Sequence, residues 1–271
     1  MRQALDDATR RLAAAGVTSP RIDAELLLAY CLGVERSQLS TVAGPAPSEF
    51  THVVQRRAAR EPLQYIVGRA AFRYVDVAVG PGVFIPRPET ELLVDAVLPA
   101  LAPGPTVVDL CAGSGALAVA IAHEVPGARV YAVEPSRAAL PWLRRNAAAT
   151  GLTVVDGDVT DPSLLDELSG LVDAVVSNPP YVPAGTLVEP EVRADPADAV
   201  FAGVDGLAVI PAVIARAAQL LRPGGVLALE HDETHAHAVP ALLGDGWRDV
   251  ADHRDLTGRP RYATAMRAAA R

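Results

Sequence analysis

The stretch "VVDLCAGSGALAVAIA", residues 107–122, decides the fold. A Val-rich run ends at Asp109 and Leu110, a turn holding Gly113 and Gly115 follows, and the Ala/Val/Ile segment beyond reads as a buried helix. The two glycines let the turn approach a ligand closely, and a helix starting there offers free N–H groups. Nineteen residues past Gly115, after the next apolar run "RVYAV", stands Glu134. A carboxylate at a second strand end accepts hydrogen bonds from both hydroxyls of a ribose, so a nucleoside-bearing cofactor is expected.

The alternation continues outward from this stretch. "ETELLVDAVLPAL" is helical, while "LTVVD", "VDAVVS" and "VLALE" are further short apolar runs separated by helical segments. That pattern predicts an α/β protein with a parallel sheet and helices on both faces. The C-terminal "WRDVADHRDLTGRPRYATAMR" holds two extended runs around a Gly-Arg-Pro turn, so a closing antiparallel pair is expected. Pro141, inside "SRAALPWLRRNAAATG", kinks that helix or moves its start later. Upstream, "ALDDATRRLAAAG" and "SPRIDAELLLAYCLG" read as helices stopped by Gly16 and Gly33, and Ser48 caps a third in "SEFTHVVQRRAAR". The expected organisation is a helical domain over 1–73, a β hairpin and linker over 74–88, and a catalytic domain over 89–271.

Gly113, Gly115 and Ala118 also satisfy the G-x-G-x-x-G/A fingerprint of a dinucleotide site. Three features favour S-adenosylmethionine instead. Asp109 at the strand end repels a pyrophosphate but holds a methionine ammonium through water; the fingerprint lies behind a helical domain; and Asp158 in "VVDGD" stands at a third strand end, where it meets an adenine amino group. Together these read as a methyltransferase site on a Rossmann-like class I S-adenosylmethionine-dependent sheet.

"SNPPY", residues 177–181, ends the run "LVDAVV" with two residues that lack a backbone N–H. The nitrogen of a planar amide or aromatic amine is a weak nucleophile because its lone pair is delocalised, and its NH2 has two donors that can be steered. The Asn178 side-chain oxygen and the Pro179 carbonyl are two acceptors suited to that task, positioning the nitrogen and stabilising the transition state. Pro180 stiffens the carbonyl's aim, and Tyr181 offers an aromatic face to a flat group.

Composition limits the alternatives. With 271 residues, half of them hydrophobic, the chain has ample material for a core. Its longest apolar runs are interrupted by Arg or Gln, and "MRQALDDATRR" has acids where a signal peptide would be apolar, so a cytoplasmic location without a membrane partner is expected. Cys31 and Cys111 show no zinc spacing, and His231 and His235 of "EHDETHAH" lack a clear third ligand, so a solvated helix start is expected there and no metal. All 24 basic residues are Arg, and the net charge is −8. Residues 1–73 hold 10 Arg against 7 acids, net +3, leaving −11 for 74–271. An acidic catalytic part argues against stable nucleic-acid binding and against an adenine-N6 DNA methyltransferase.

In order along the chain, "EPLQYIVGRAAF", "FIPRPETELLV", "VVDLCAGSGALA", "VVSNPPYVP", "DPADAVFAGVDGL" and "LRPGGVLALEH" resemble the protein-(glutamine-N5) methyltransferases that modify peptide chain release factors. The resemblance covers nearly the whole chain; it implies methylation of the glutamine of the Gly-Gly-Gln motif in class-one release factors. Methylation of a glutamine in a large-subunit ribosomal protein uses the same chemistry. The resemblance further implies that Cys111, Ala112, Gly113, Ser114, Gly115, Glu134, Val159 and Asn178 line the cofactor site, that Asn178, Pro179, Pro180 and Tyr181 hold the glutamine, and that Arg87 and Glu89 lie over the site. Two departures stand out: the family's usual Gly at the first loop position is Cys111, and its Glu-Pro after the tyrosine loop is Asp195-Pro196.

Overall fold

A computed structural model describes residues 1–269. The chain forms two units, Met1–Arg69 with Val188–Ala194, and Ala70–Leu187 with the chain from Asp195 onward.

The first unit is helical: α1 (Arg2–Ala14), α2 (Pro20–Leu32), α3 (Glu49–Ala58) and the short α4 (Leu63–Val67). In α1 the buried positions are Leu5, Ala8 and Leu12, the spacing of one helical face. They pack with Leu27, Leu28, Val53 and Val54 into one core. Pro20 sits in the first turn of α2, and Gly33 closes it at φ 65, a left-handed backbone that glycine adopts without strain. Ser48 does not act as the expected cap. Its own backbone is already helical and its side chain makes no capping bond, because the Phe50 N–H bonds the Pro47 carbonyl and starts the turn earlier.

Residues 188–194 join this unit through Glu191. Its carboxylate accepts from the Arg60 Nε at 2.7 Å and from Arg57 at 2.8 Å, while the buried Arg57 also donates from Nε to Asp23 at 2.7 Å. Burial works to raise the Glu191 carboxyl, but Arg60 and Arg57 together bring it down to about 2. A carboxyl lowered on folding stabilises the native state fully above its unfolded value of about 4.5, and that contribution fades as pH falls toward 2. The stability difference between wild type and Glu191→Gln is therefore expected to be full at neutral pH and to shrink steadily below about pH 4.5. Urea unfolding across that range is the check; a gap that does not change with pH contradicts it.

The second unit begins with a hairpin, β1 (Arg69–Phe72) and β2 (Val75–Ala78). It starts earlier than the expected 74–88, because Gly68 at φ 75 ends α4 and turns the chain directly into β1. The helical part of the chain accordingly stops at Arg69 instead of residue 73. After α5 (Glu91–Val97) come β3 (Thr106–Leu110), α6 (Ala116–Glu124), β4 (Arg129–Glu134), α7 (Leu140–Ala147), β5 (Thr153–Asp156) and β6 (Val172–Ser177). A short α8 (Ala197–Val200), α9 (Ile210–Leu220), β7 (Leu221–Glu230), α10 (Ala238–Leu242), β8 (Trp247–Arg254) and β9 (Pro260–Arg267) complete it. Pro141 falls in the first turn of α7, where its missing N–H costs nothing.

The sheet order is β5-β4-β3-β6-β7-β9-β8, with β9 antiparallel to both β7 and β8 and the other pairs parallel. This is the Rossmann-like, mostly parallel sheet of class I methyltransferases. The order reverses between β3 and β6, the switch point at which open α/β sheets bind ligands beyond the carboxyl ends of their strands. Leu110 pairs with Val133 on one side and Ser177 on the other, so the 111–115 turn, Glu134 and Asn178 emerge together at that edge. No described helix is long and apolar enough to cross a membrane.

Candidate active site

The turn after β3 is built on left-handed backbone at Cys111 (φ 64), Gly113 (φ 57) and Gly115 (φ 82). A Cβ on Gly115 would stand 2.5 Å from Leu143 Cδ1 and push that methyl of α7 aside. Cys111 occupies a position that glycine takes without strain, at a cost of about 1–2 kcal/mol. The resemblance's glycine is thus explained by backbone geometry. Burial pushes the Cys111 thiol far up, with the Glu134 and Asp109 charges adding, so it stays protonated and unsuited to nucleophilic attack. Asn146 of α7 ties the turn to the hairpin, donating to the Ser114 carbonyl at 2.9 Å and to the Ala78 carbonyl at 3.0 Å.

Beside this turn lies a cavity of about 420 Å³, lined entirely by the second unit. Its walls include Cys111, Ala112, Gly113, Ser114, Glu134, Asp158, Val159, Asn178 and Pro180, all foreseen from sequence. Glu134 is nearly buried and held at both oxygens: Oε2 accepts from the Gly113 N–H and Oε1 from the Ser136 N–H, each at 2.7 Å. Burial raises its carboxyl, those two N–H groups oppose the rise, and Asp198 adds to it. Asp158 accepts from both the Thr160 N–H and hydroxyl at the open side.

Six expected site residues lie off the cavity wall, Glu89 among them. Asp109 is fully buried behind the turn, where Oδ2 accepts from the Ala118 N–H at 3.2 Å and Oδ1 has no partner. Through that bond it supports the first turn of α6. Gly115 is buried. Pro179 is buried. Tyr181 turns its ring into the core, and its hydroxyl donates to Glu230 Oε1 at 2.7 Å, so its face is not offered to a flat ligand as expected. Arg87 is held by a short ion pair to the buried Asp195, which also accepts from the Ile85 N–H at 3.1 Å, and its guanidinium stacks 4.9 Å from the Phe84 ring. The Asp195 departure is therefore the anchor of Arg87.

The lining also includes residues that sequence reading missed: Phe84 and Pro86 of the linker, Thr90 at the start of α5, Ser136, and Asp198 with Ala199 of α8. Thr90 was visible only as part of "PRPET". It accepts from the Asn178 Nδ2 at 3.0 Å, leaving the Asn178 Oδ1 as the free acceptor.

The segment after Tyr181 is braced from outside the cavity. Val182 N–H bonds the Val200 carbonyl and the Val182 carbonyl accepts from the Ala202 N–H, both at 3.0 Å. Gly206 (φ 78) lies against Tyr181, where a Cβ would fall 2.2 Å from its carbonyl oxygen and 2.8 Å from His235. His231 and His235 are buried and do not form a solvated helix start: His235 belongs to this brace, its Nε2 donating to the Asp205 carbonyl at 2.8 Å, and His231 lies 2.9 Å from Asp252 of β8. Among the described residues no group of three His, Cys, Asp or Glu side chains is placed to hold a metal ion. Gly206→Ala is expected to cost about 2–4 kcal/mol and to displace the Tyr181 backbone. Gly33→Ala, with open space around the added carbon, is expected to cost about 1 kcal/mol. Thermal unfolding of the two variants checks the contrast; equal losses contradict it.

Residues 3–68 match the PrmC N-terminal domain family, and residues 75–193 match the methyltransferase small domain family. The release factor glutamine methyltransferase of Mycolicibacterium smegmatis is 54% identical, over 99% of this chain and 98% of that protein. The 4-amino-L-phenylalanine/4-methylamino-L-phenylalanine methyltransferase of Streptomyces pristinaespiralis is 48% identical, over 89% of this chain and 86% of its own. Among solved structures, the Thermus thermophilus 16S rRNA N2 G1207 methyltransferase in complex with AdoMet and guanosine has the same fold, with a TM-score of 0.51 over 73% of this chain and 49% of that one, at 24% identity.

Proposed function

Because the chain belongs to the release factor glutamine methyltransferase family, we propose that it transfers a methyl group from S-adenosylmethionine to the side-chain nitrogen of the glutamine in the Gly-Gly-Gln motif of class-one release factors. The observation that carries this reading is the 54% identity over 99% of the chain, helical unit included. A cytoplasmic site of action, where release factors work, is part of the proposal.

The residues around the cavity fit the cofactor. Glu134 presents a fixed carboxylate to a ribose diol, and Asp158 stands at the third strand end, where an adenine amino group finds an acceptor. A Cβ on Gly113 would meet nothing within 4 Å, so the turn leaves open space beside Glu134. Bound there, S-adenosylmethionine supplies an electrophilic methyl on a sulfonium.

The chain's own contribution is to make an unreactive nitrogen attack. Asn178 Oδ1, left free by the donation of Nδ2 to Thr90, accepts one N–H of the glutamine amide; Pro179 is buried and off the cavity wall, and its carbonyl is the second acceptor that the proposal assigns. Drawing on both hydrogens localises the lone pair on nitrogen, and Pro180 limits the backbone freedom that would blur the aim. The proton leaves once the nitrogen is cationic, so no strong base is required. The helical unit enters the proposal as the docking surface for the protein substrate: residues 1–73 carry a net +3, and Met1–Arg69 with Val188–Ala194 carry a net +1 from 10 Arg and 9 acids.

An arylamine shares the delocalised lone pair and the two donors, and the Streptomyces pristinaespiralis relative favours this as the second reading. Labelled S-adenosylmethionine offered with a release factor, its Gln→Ala variant, a large-subunit ribosomal protein and 4-amino-L-phenylalanine separates the readings. Label on the wild-type release factor alone is the expected result. Equal label on the Gln→Ala variant, or label only on another acceptor, overturns the proposal.

A further inference from the structure

Between β5 and β6 the chain runs from Gly157 to Leu171, and of this connection only Asp158, Val159 and Thr160 line the cavity. The three are slung between two fixed points. At the first, the Gly157 N–H donates to the Glu134 carbonyl at 3.3 Å. The bonds that follow are local: the Asp161 N–H donates to the Asp158 carbonyl at 2.9 Å, and the Thr160 N–H and hydroxyl both donate to Asp158 Oδ1.

The second fixed point is Arg216, buried on α9. Its Nη1 donates to the Pro162 carbonyl at 2.9 Å, the Leu164 carbonyl at 3.3 Å and Gln219 Oε1 at 2.7 Å; its Nη2 donates to the Asp161 carbonyl, and its Nε has no partner. A buried cation is costly unless its N–H groups are satisfied, and the planar guanidinium reaches several carbonyls of one turn at once. The loop also closes on itself: a Cβ on Gly157 would fall 2.7 Å from Leu164 Cδ1. Apolar packing holds the same loop to α9, with Val159, Leu164 and Leu165 in one core with Val213, Ile214 and Ala217. Such packing is non-directional, so what the guanidinium adds is direction.

We propose that Arg216 is a positioning residue of the cofactor site: by gathering the carbonyls of Asp161, Pro162 and Leu164 onto α9 it sets where Asp158 stands relative to Glu134, so that the site selects the base of an adenosyl group as well as its ribose. This rests on the cofactor site proposed above, with Glu134 at the ribose and Asp158 at the adenine amino group. Arg216 does not line the cavity and acts through the loop.

Arg216→Met keeps an unbranched apolar stem and removes the donors. It is expected to raise the KM for S-adenosylmethionine by about 10-fold, with kcat at saturating cofactor within about threefold of wild type. Base selectivity is a readout that a purely structural role would leave alone. S-inosylhomocysteine carries a carbonyl oxygen where S-adenosylhomocysteine carries its amino group, so it sets an acceptor against Asp158. Wild type is expected to prefer the adenosyl compound by about 10- to 100-fold, the worth of one hydrogen bond to a charged group. In Arg216→Met that preference is expected to fall to about threefold or less. Asp158→Ala removes the preference directly, and the double variant Arg216→Met/Asp158→Ala is expected to match it, since both act through one contact.

Titration calorimetry of the full-length protein with the two homocysteine compounds, alongside thermal unfolding and methyl transfer to a release factor, is the experiment. If Arg216→Met does not fold, Arg216→Gln, which keeps two donors, takes its place with the same expectations. Loss of the preference in a folded variant is the expected result. Equal weakening of both compounds, or unchanged affinity for both, overturns the role of Arg216 and leaves the function standing. A wild type that binds the two compounds equally overturns the adenine assignment together with that role. A wild type that binds neither and transfers no methyl group overturns the proposed function as well.

Discussion

Asn178→Ala is expected to lower methyl transfer to a release factor by about 10²–10³-fold while S-adenosylmethionine binds within about threefold of its wild-type affinity. The size follows from what is removed: a preorganised acceptor that acts where charge develops on nitrogen. The separation of the two effects follows from the cavity. Glu134 stands on β4, and the 111–115 turn that borders it follows β3, whereas Asn178 stands at the end of β6 beside Thr90. Single-turnover transfer and equilibrium binding on the same preparation provide the measurement. A variant that transfers at wild-type rate shows that the amide is steered by other groups; one that loses both properties shows that Asn178 mainly holds the cofactor.

Glu134→Ala is expected to produce the opposite split, weakening cofactor binding by about 10²–10⁴-fold with kcat at saturating cofactor near wild type. Two hydrogen bonds to a charged acceptor are worth about 1.5–3 kcal/mol each when lost, and about 1.4 kcal/mol is a tenfold change in affinity. The alanine also strips the Gly113 and Ser136 N–H groups of their partner, so the turn loses its hold on the next strand. Glu134→Gln retains the shape, but its NH2 must oppose one of those N–H groups, and an intermediate loss of affinity is expected. Titration calorimetry decides it. Unaltered affinity in the alanine variant removes Glu134 from the ribose site.

The parts of this molecule that were legible in the sequence are those set by local backbone chemistry. Val-rich runs followed by turn residues gave away the strand ends that form the cavity edge. Pro141 marked the first turn of α7, and Gly33 marked a left-handed helix end. Side-chain direction was far less legible. Tyr181 lies in the right motif, but its hydroxyl turns away to a carboxylate 49 residues on. Arg87 reads as a free cation until Asp195, 108 residues later, takes it. Asp109 sits at a strand end with its carboxylate behind the turn, and the buried histidines look from their neighbours like a polar surface run. Each depends on which distant element packs alongside, and no spacing within a motif encodes that.

The helical unit is not one piece of chain. Its ion cluster of Asp23, Arg57 and Arg60 is completed by Glu191, from a segment that departs after the Tyr181 loop and returns at Asp195, the residue that holds Arg87. A chimaera spliced only at residue 69 would inherit arginines from one parent and their carboxylate from the other. A discontinuous helical unit of this kind is exchanged by two grafts, and a lineage that altered the helices would have to alter the 188–194 segment in step. The helices and the 188–194 segment are accordingly expected to drift as a linked pair, and a library that alters the helical unit keeps its fold only if it randomises both segments together.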